Sequence, residues 1–305
     1  MLLVLLGAAC ADQSPPPSAP FIIVLGIAQD AGYPQAGCRR ACCRAAWDDP
    51  ARRRHVVSLA VVNPQTSQRW LLDASPDLPQ QLHELDRVTP VSDGPGIDGI
   101  FLTHGHVGHY TGLMHLGREV MGTHGVPVHV MPRMRMFLTG SGPWSQLVAL
   151  GNIDLTTMEE GTAVVLGPGL RITPFLVPHR DEYTETVGFR IDGPSRSVLY
   201  LPDIDKWERW DVAIEELLEE VDVAYLDGSF FDGEELPGRD MSQIPHPFVI
   251  DSMRRWADLP EATRARVRFL HMNHTNPLLD PDSDASRAVR EAGFRVARQG
   301  ERVDL

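Results

Sequence analysis

The chain has 305 residues, 43% of them hydrophobic, which suffices to bury one large α/β domain or two small ones. A formal charge of -13 excludes an extended nucleic-acid surface, because neutralising phosphates takes clustered Lys and Arg. The compact basic run Arg52 to Arg54 precedes a strand and reads as a solvated edge.

Residues 1–20 stand apart from the rest. An apolar start through Leu6, small residues before Cys10 and a Pro/Ser linker resemble a bacterial lipoprotein signal. On that reading the chain is exported and Cys10 carries a lipid that anchors it to a membrane. The stretch is short and lacks a basic residue, so a plain tail on a cytoplasmic protein is the alternative. No later segment reaches the roughly 18 apolar residues that span a bilayer.

From residue 21 onward, β-branched and aromatic runs predict strands over 21–28, 56–63, 69–74, 99–103, 126–131, 171–178, 186–191, 197–201, 221–227 and 267–272. Helical patterns cover 77–85, 111–121, 207–220, 247–257 and 283–292. Many strands with fewer helices between them predict stacked sheets covered by helices rather than a doubly wound sheet. The segment 26–32 has glycines but no dinucleotide fingerprint.

His104-Gly-His106-Val-Gly-His109 follows the strand 99–103 and packs three imidazoles into six residues. Two histidines at i and i+2 on a turn reach one ion while a third reaches a neighbouring position. Further candidates close later strands: His179, Asp203 and His271. Cys38, Cys42 and Cys43 form an odd, clustered set, read either as metal ligands or as one disulfide plus a free thiol.

In this order the residues resemble the metallo-β-lactamase superfamily, whose pattern is His-x-His-x-Asp-His, a His, a bridging Asp and a final His. The resemblance covers 21–305 and implies a single αββα sandwich of two mixed β-sheets flanked by helices. It implies a first ion on His104, His106 and His179, and a second on His109 and His271, with Asp203 between them. Asp73 would orient ligands from behind. Within the superfamily, Tyr33-Pro-Gln35, Ala74-Ser-Pro-Asp77, Pro178-His-Arg180, Asp227-Gly-Ser229 and the run from Thr275 to Ser283 are most similar to the coenzyme PQQ synthesis protein B family. Typical members of that family lack the first two histidines, whereas this chain has both and carries Gly108 where Asp is expected.

The resemblance extends to a structural zinc on Cys38, Cys42, Cys43 and His274, with a Cys38–Cys43 disulfide as its rival. His246 matches a histidine that related phosphodiesterases use to protonate a leaving group. Arg180, Tyr183 and Arg239 are candidate contacts for a small-molecule substrate. The implied reaction is hydrolysis of an ester, amide or phosphodiester by hydroxide on zinc, with one well-held ion and a second weakened by Gly108. A non-haem iron oxygenase linked to PQQ synthesis and a non-catalytic envelope protein binding a quinone or small acid are the alternatives.

Overall fold

Alternation along β1 (Phe21–Gly26) sends Ile22 and Val24 to one side and Phe21, Ile23 and Leu25 to the other, and both sides are buried. A strand apolar on both faces has to lie between two layers. That is its position in the computed structural model, which describes residues 19–305 apart from Asp93. Cys10 and the lipoprotein-like segment up to residue 18 lie outside the described residues.

The strands that follow are β2 (Ser58–Asn63), β3 (Gln68–Leu72), β4 (Gly99–Phe101), β5 (Val126–Val130), β6 (Ile153–Thr157) and β7 (Val164–Gly167). Then come β8 (Leu170–Leu176), β9 (Val187–Asp192), β10 (Ser197–Leu201), β11 (Val223–Asp227), β12 (Val267–Leu270), β13 (Arg295–Val296) and β14 (Arg302–Asp304). The helices are α1 (Ala41–Asp48), α2 (Leu78–Val88), α3 (Val107–Tyr110), α4 (Pro132–Gly140), α5 (Trp144–Ala149), α6 (Ile214–Glu220), α7 (Val249–Arg255), α8 (Glu261–Arg264) and α9 (Asp284–Glu291).

One sheet has the order β14-β1-β2-β3-β4-β5-β6 and the other β13-β12-β11-β10-β9-β8-β7. In the first, β14 through β3 are antiparallel neighbours and β3 through β6 parallel ones. The second repeats this arrangement, antiparallel from β7 to β10 and parallel from β10 to β13. Leu59, Val61, Leu72 and Phe101 of the first sheet share a buried cluster with Phe189, Ile191, Leu199 and Leu201 of the second. Truncating Leu59 to Ala there is expected to cost about 2–5 kcal/mol. Leu78 and Leu85 of α2, with Met134 and Leu138 of α4, cover the other face of the first sheet. The two mixed sheets flanked by helices are the αββα sandwich that the sequence resemblance implies.

Local departures have physical causes. The helix expected over 111–121 is a 3-10 turn, Thr111–Leu116, which stops where Gly117 turns to an extended backbone; its Gly112 packs so closely on the loop after β3 that a Cβ there would stand 2.1 Å from the Ser75 carbonyl oxygen. The helix expected over 207–220 splits into a 3-10 turn, Trp207–Arg209, and α6. No helix among the described residues is long and apolar enough to cross a membrane.

Candidate metal centre

Parallel strands aim their C-terminal ends at one edge of a sheet, and the chemistry-bearing residues sit beyond those ends. Asp73 follows β3, the histidine turn follows β4, Asp203 follows β10, Asp227 closes β11 and His271 follows β12. His179 arrives on the loop after β8, and Asp30 on the loop after β1.

His104 Nε2 lies 2.8 Å from His106 Nδ1 and 3.3 Å from Asp203 Oδ2. His179 Nε2 lies 3.3 Å from the other oxygen, Asp203 Oδ1. One ligand atom from each of these four residues falls within 4.8 Å of the others. His109 Nε2 and His271 Nε2 each stand 3.8 Å from Asp203 Oδ2, so Asp203 lies between both sets of histidines.

The second set includes a residue that sequence reading passed over. Asp30 Oδ1 is 3.4 Å from His109 Nε2 and 3.8 Å from His271 Nε2, and the three form a group compact enough for a cation. In the sequence the segment 26–32 registered only as an absent nucleotide loop. The expected lack of a carboxylate at the second position, inferred from Gly108, thus meets an aspartate from another segment.

Whether the residues fit a cation is answered by their unpaired atoms. Nε2 of His109, His179 and His271, Asp203 Oδ1 and Asp30 Oδ1 are buried without a hydrogen-bond partner. Buried polar groups are rarely left so, and these five, lying in two neighbouring groups on either side of Asp203, fit divalent cations. Burial, reinforced by His109 and His106, holds His104 well below the usual imidazole range, as a neutral donor. Burial opposes ionisation of Asp203, but His179, His271 and His246 outweigh it and hold the carboxyl well below its usual range.

Outer contacts fix the donors. Asp73, fully buried, lies 2.8 Å from His109 Nδ1 and accepts from Thr103 Oγ1 at 2.9 Å and Tyr200 OH at 3.1 Å. Ser229 Oγ is 2.9 Å from His271 Nδ1, and Asp205 Oδ1 is 3.2 Å from His179 Nδ1. Such contacts set the tautomer and leave Nε2 for the ion. Asp73 and His271 hold positive φ, 68° and 62°, a conformation that costs a non-glycine residue about 1–2 kcal/mol.

His246 borders the cluster on the Asp203 side. Its Nδ1 is 2.8 Å from Asp227 Oδ2 and 3.2 Å from Asp203 Oδ1. Burial would depress this imidazole, but the charges of Asp227 and Asp203 prevail and push it up to about 9. Asp227 is itself held by backbone donors from Ile204 and Ser229. Arg180 is exposed beside the cluster, and its charge is felt at His106 and His246. Tyr183, 60% exposed, packs on Phe137 with ring centroids 5.5 Å apart, over the turn at Gly105. Arg239 is exposed on the 230–240 loop, where its backbone N–H donates to Leu236; no contact of its side chain reaches the cluster.

The cysteines form a separate group. Cys38, Cys42, Cys43 and His274 bring ligand atoms within 4.8 Å of one another, and the three thiols are free, so the Cys38–Cys43 disulfide is not formed. The start of α1 turns the adjacent Cys42 and Cys43 toward the same point despite their neighbouring positions. Burial, with the neighbouring thiols, pushes Cys43 up to about 12.

Comparison with known proteins agrees with this architecture. The beta-lactamase superfamily domain matches residues 68–297. Coenzyme PQQ synthesis protein B of Xanthomonas euvesicatoria is 29% identical over 311 aligned positions, covering 93% of this chain and 99% of the relative. The protein of the same description from Methylorubrum extorquens is 28% identical, covering 93% and 99%. Among solved structures, the zinc-bound PqqB of Methylobacterium extorquens matches with a TM-score of 0.77 at 25% identity, covering 93% of this chain and all of that one. A diphosphatase of the PhnP family shares the fold with a TM-score of 0.66 at 23% identity. With its paired mixed sheets and the histidine turn beyond β4, the chain belongs to the metallo-β-lactamase superfamily and within it is similar to coenzyme PQQ synthesis protein B.

Proposed function

We propose that the chain is a zinc-dependent hydrolase of a small anionic ester, with a phosphodiester as the preferred substrate class. The observation that carries the reading is the convergence of buried, partnerless histidine nitrogens from both sheets on the two oxygens of Asp203. His104, His106, His179 and Asp203 would hold one cation, and His109, His271 and Asp203 a second. Bound zinc supplies Lewis acidity and a water acidified to near neutral pKa, which is what ester hydrolysis requires.

The protein's own residues do the remaining work. Asp227 fixes the His246 ring through Nδ1, which leaves Nε2 to deliver a proton to the departing oxygen. Arg180 at the rim supplies a positive charge for an anionic substrate, and Tyr183 an apolar wall. Cys38, Cys42, Cys43 and His274 would hold a further, structural zinc that pins the segment after β1 to the loop after β12.

The test is metal analysis of untagged protein together with turnover of bis(p-nitrophenyl) phosphate, p-nitrophenyl acetate and a β-lactam. Zinc with diesterase activity, lost in His104→Ala and kept when the exposed His83 of α2 is replaced, His83→Ala, is the expected outcome. Stoichiometric iron with oxygen consumption would overturn it.

A further inference from the structure

The position where the superfamily motif places an aspartate is Gly108, and the space beside it is filled. A Cβ at residue 108 would stand 2.1 Å from Asp30 Oδ1, 2.6 Å from Asp30 Cα and 2.9 Å from Asp30 Cγ. No side chain of any kind fits at 108 while Asp30 is in place. The Asp30 carboxylate therefore enters, from the opposite wall, the volume that a side chain at 108 would occupy.

We propose that Asp30 is a ligand of the second cation, replacing from another segment the aspartate that the motif would carry at position 108. The inference deepens the proposed zinc site and rests on that site's pair of cations, not on the reaction.

Three observations bear on it. Asp30 Oδ1 is buried, lacks a hydrogen-bond partner and faces the partnerless Nε2 atoms of His109 and His271, both fully buried. An ordinary ion-pair partner of a protonated His109 would not need the second histidine in its reach. Charge points the same way, since two divalent cations among five neutral imidazoles would otherwise have Asp203 as the single ligating carboxylate.

The loop is also built to deliver this side chain. Ala28 forms parallel bridges to both Val56 and Met272, and the Gln29 N–H donates to the Met272 carbonyl at 2.8 Å. The Gly32 N–H closes the turn on the Gln29 carbonyl, also at 2.8 Å. Asp30 is thereby stitched to the segment that carries His271, its co-ligand.

The experiment titrates metal-depleted wild type, Asp30→Asn and Asp30→Ala with cobalt(II), read by visible absorption and calorimetry. The thiolate charge-transfer band of the cysteine cluster serves as an internal control for folding. Wild type is expected to take up two ions outside that cluster. Both variants are expected to keep one and to bind the other about 10- to 100-fold more weakly, with the thiolate band unchanged. Asn preserves shape and hydrogen bonding but not charge, so two ions held at wild-type affinity in Asp30→Asn overturns the role of Asp30 alone. A wild-type protein that takes up no ion outside the cysteines overturns the proposed zinc site as well.

Discussion

Asp73 and His109, both fully buried, are joined at 2.8 Å between Oδ2 and Nδ1, and this pair ties the early strand end to the histidine turn. Asp73 reaches that geometry only in a left-handed backbone conformation. Asp73→Asn keeps the volume and the contact with Tyr200 but weakens the polarisation of His109. Zinc affinity at the second position is expected to fall about 10- to 100-fold, measured by competition with a chromophoric chelator. Unchanged affinity would reduce Asp73 to a packing role.

His246→Gln removes the proton donor proposed for the leaving group while leaving the cation ligands in place. Turnover of a diester with a poor, alkyl leaving group is expected to drop about 10²- to 10⁴-fold. Turnover of a p-nitrophenyl diester, whose leaving group departs without protonation, should fall far less. Equal losses on both substrates, at unchanged zinc content, would remove His246 from that role.

Glu235 lies in the 230–240 loop and accepts from Thr275 Oγ1 at 2.5 Å and from the Phe231 N–H at 2.7 Å. Burial outweighs these hydrogen bonds and pushes its carboxyl from 4.5 up to about 7. Between those two values the unfolded chain releases a proton that the folded chain retains, so stability falls as pH rises through the window and stays lower above it. Glu235→Gln cannot ionise, so its gain in Tm over wild type should be larger at pH 8 than at pH 5. A pH-independent difference would contradict the shift.

Cys43 is fully buried beside Cys38, Cys42 and His274. Cys43→Ser is expected to lose one zinc per chain and to lower Tm by about 2–4 °C for each kcal/mol of lost binding stabilisation. Chelator should depress the wild-type Tm by more than that of the variant. The same metal content in both proteins would show that Cys43 is not a ligand.

The strands around the site were legible because runs rich in β-branched and other apolar residues, such as 21–26, 58–63 and 197–201, are buried almost throughout. The outer strands β6 and β7 were not, since their exposed positions carry polar residues or a short apolar run without alternation. Helices α4 and α5 also escaped: α4 opens on Pro132 and closes on Gly140, and α5 follows Pro143, so their patterns are brief. The histidines declared themselves through close spacing and through their places after strands. Asp30 had no such signal, because one acidic residue in a glycine-flanked loop is unremarkable until the fold sets it against Gly108.

The double bridge of Ala28, to Val56 on one side and Met272 on the other, bears on the order of events during synthesis. The turn at 104–109 emerges early, but Asp203 and His271, which link the two sheets at the metal edge, emerge late. A chain ending before β12 carries His104, His106, His179 and Asp203 but lacks His271, so the group of Asp30, His109 and His271 is still incomplete. The donors of the first position thus precede those of the second in the chain, and the second closes only when Met272 has paired with Ala28 and brought His271 beside Asp30.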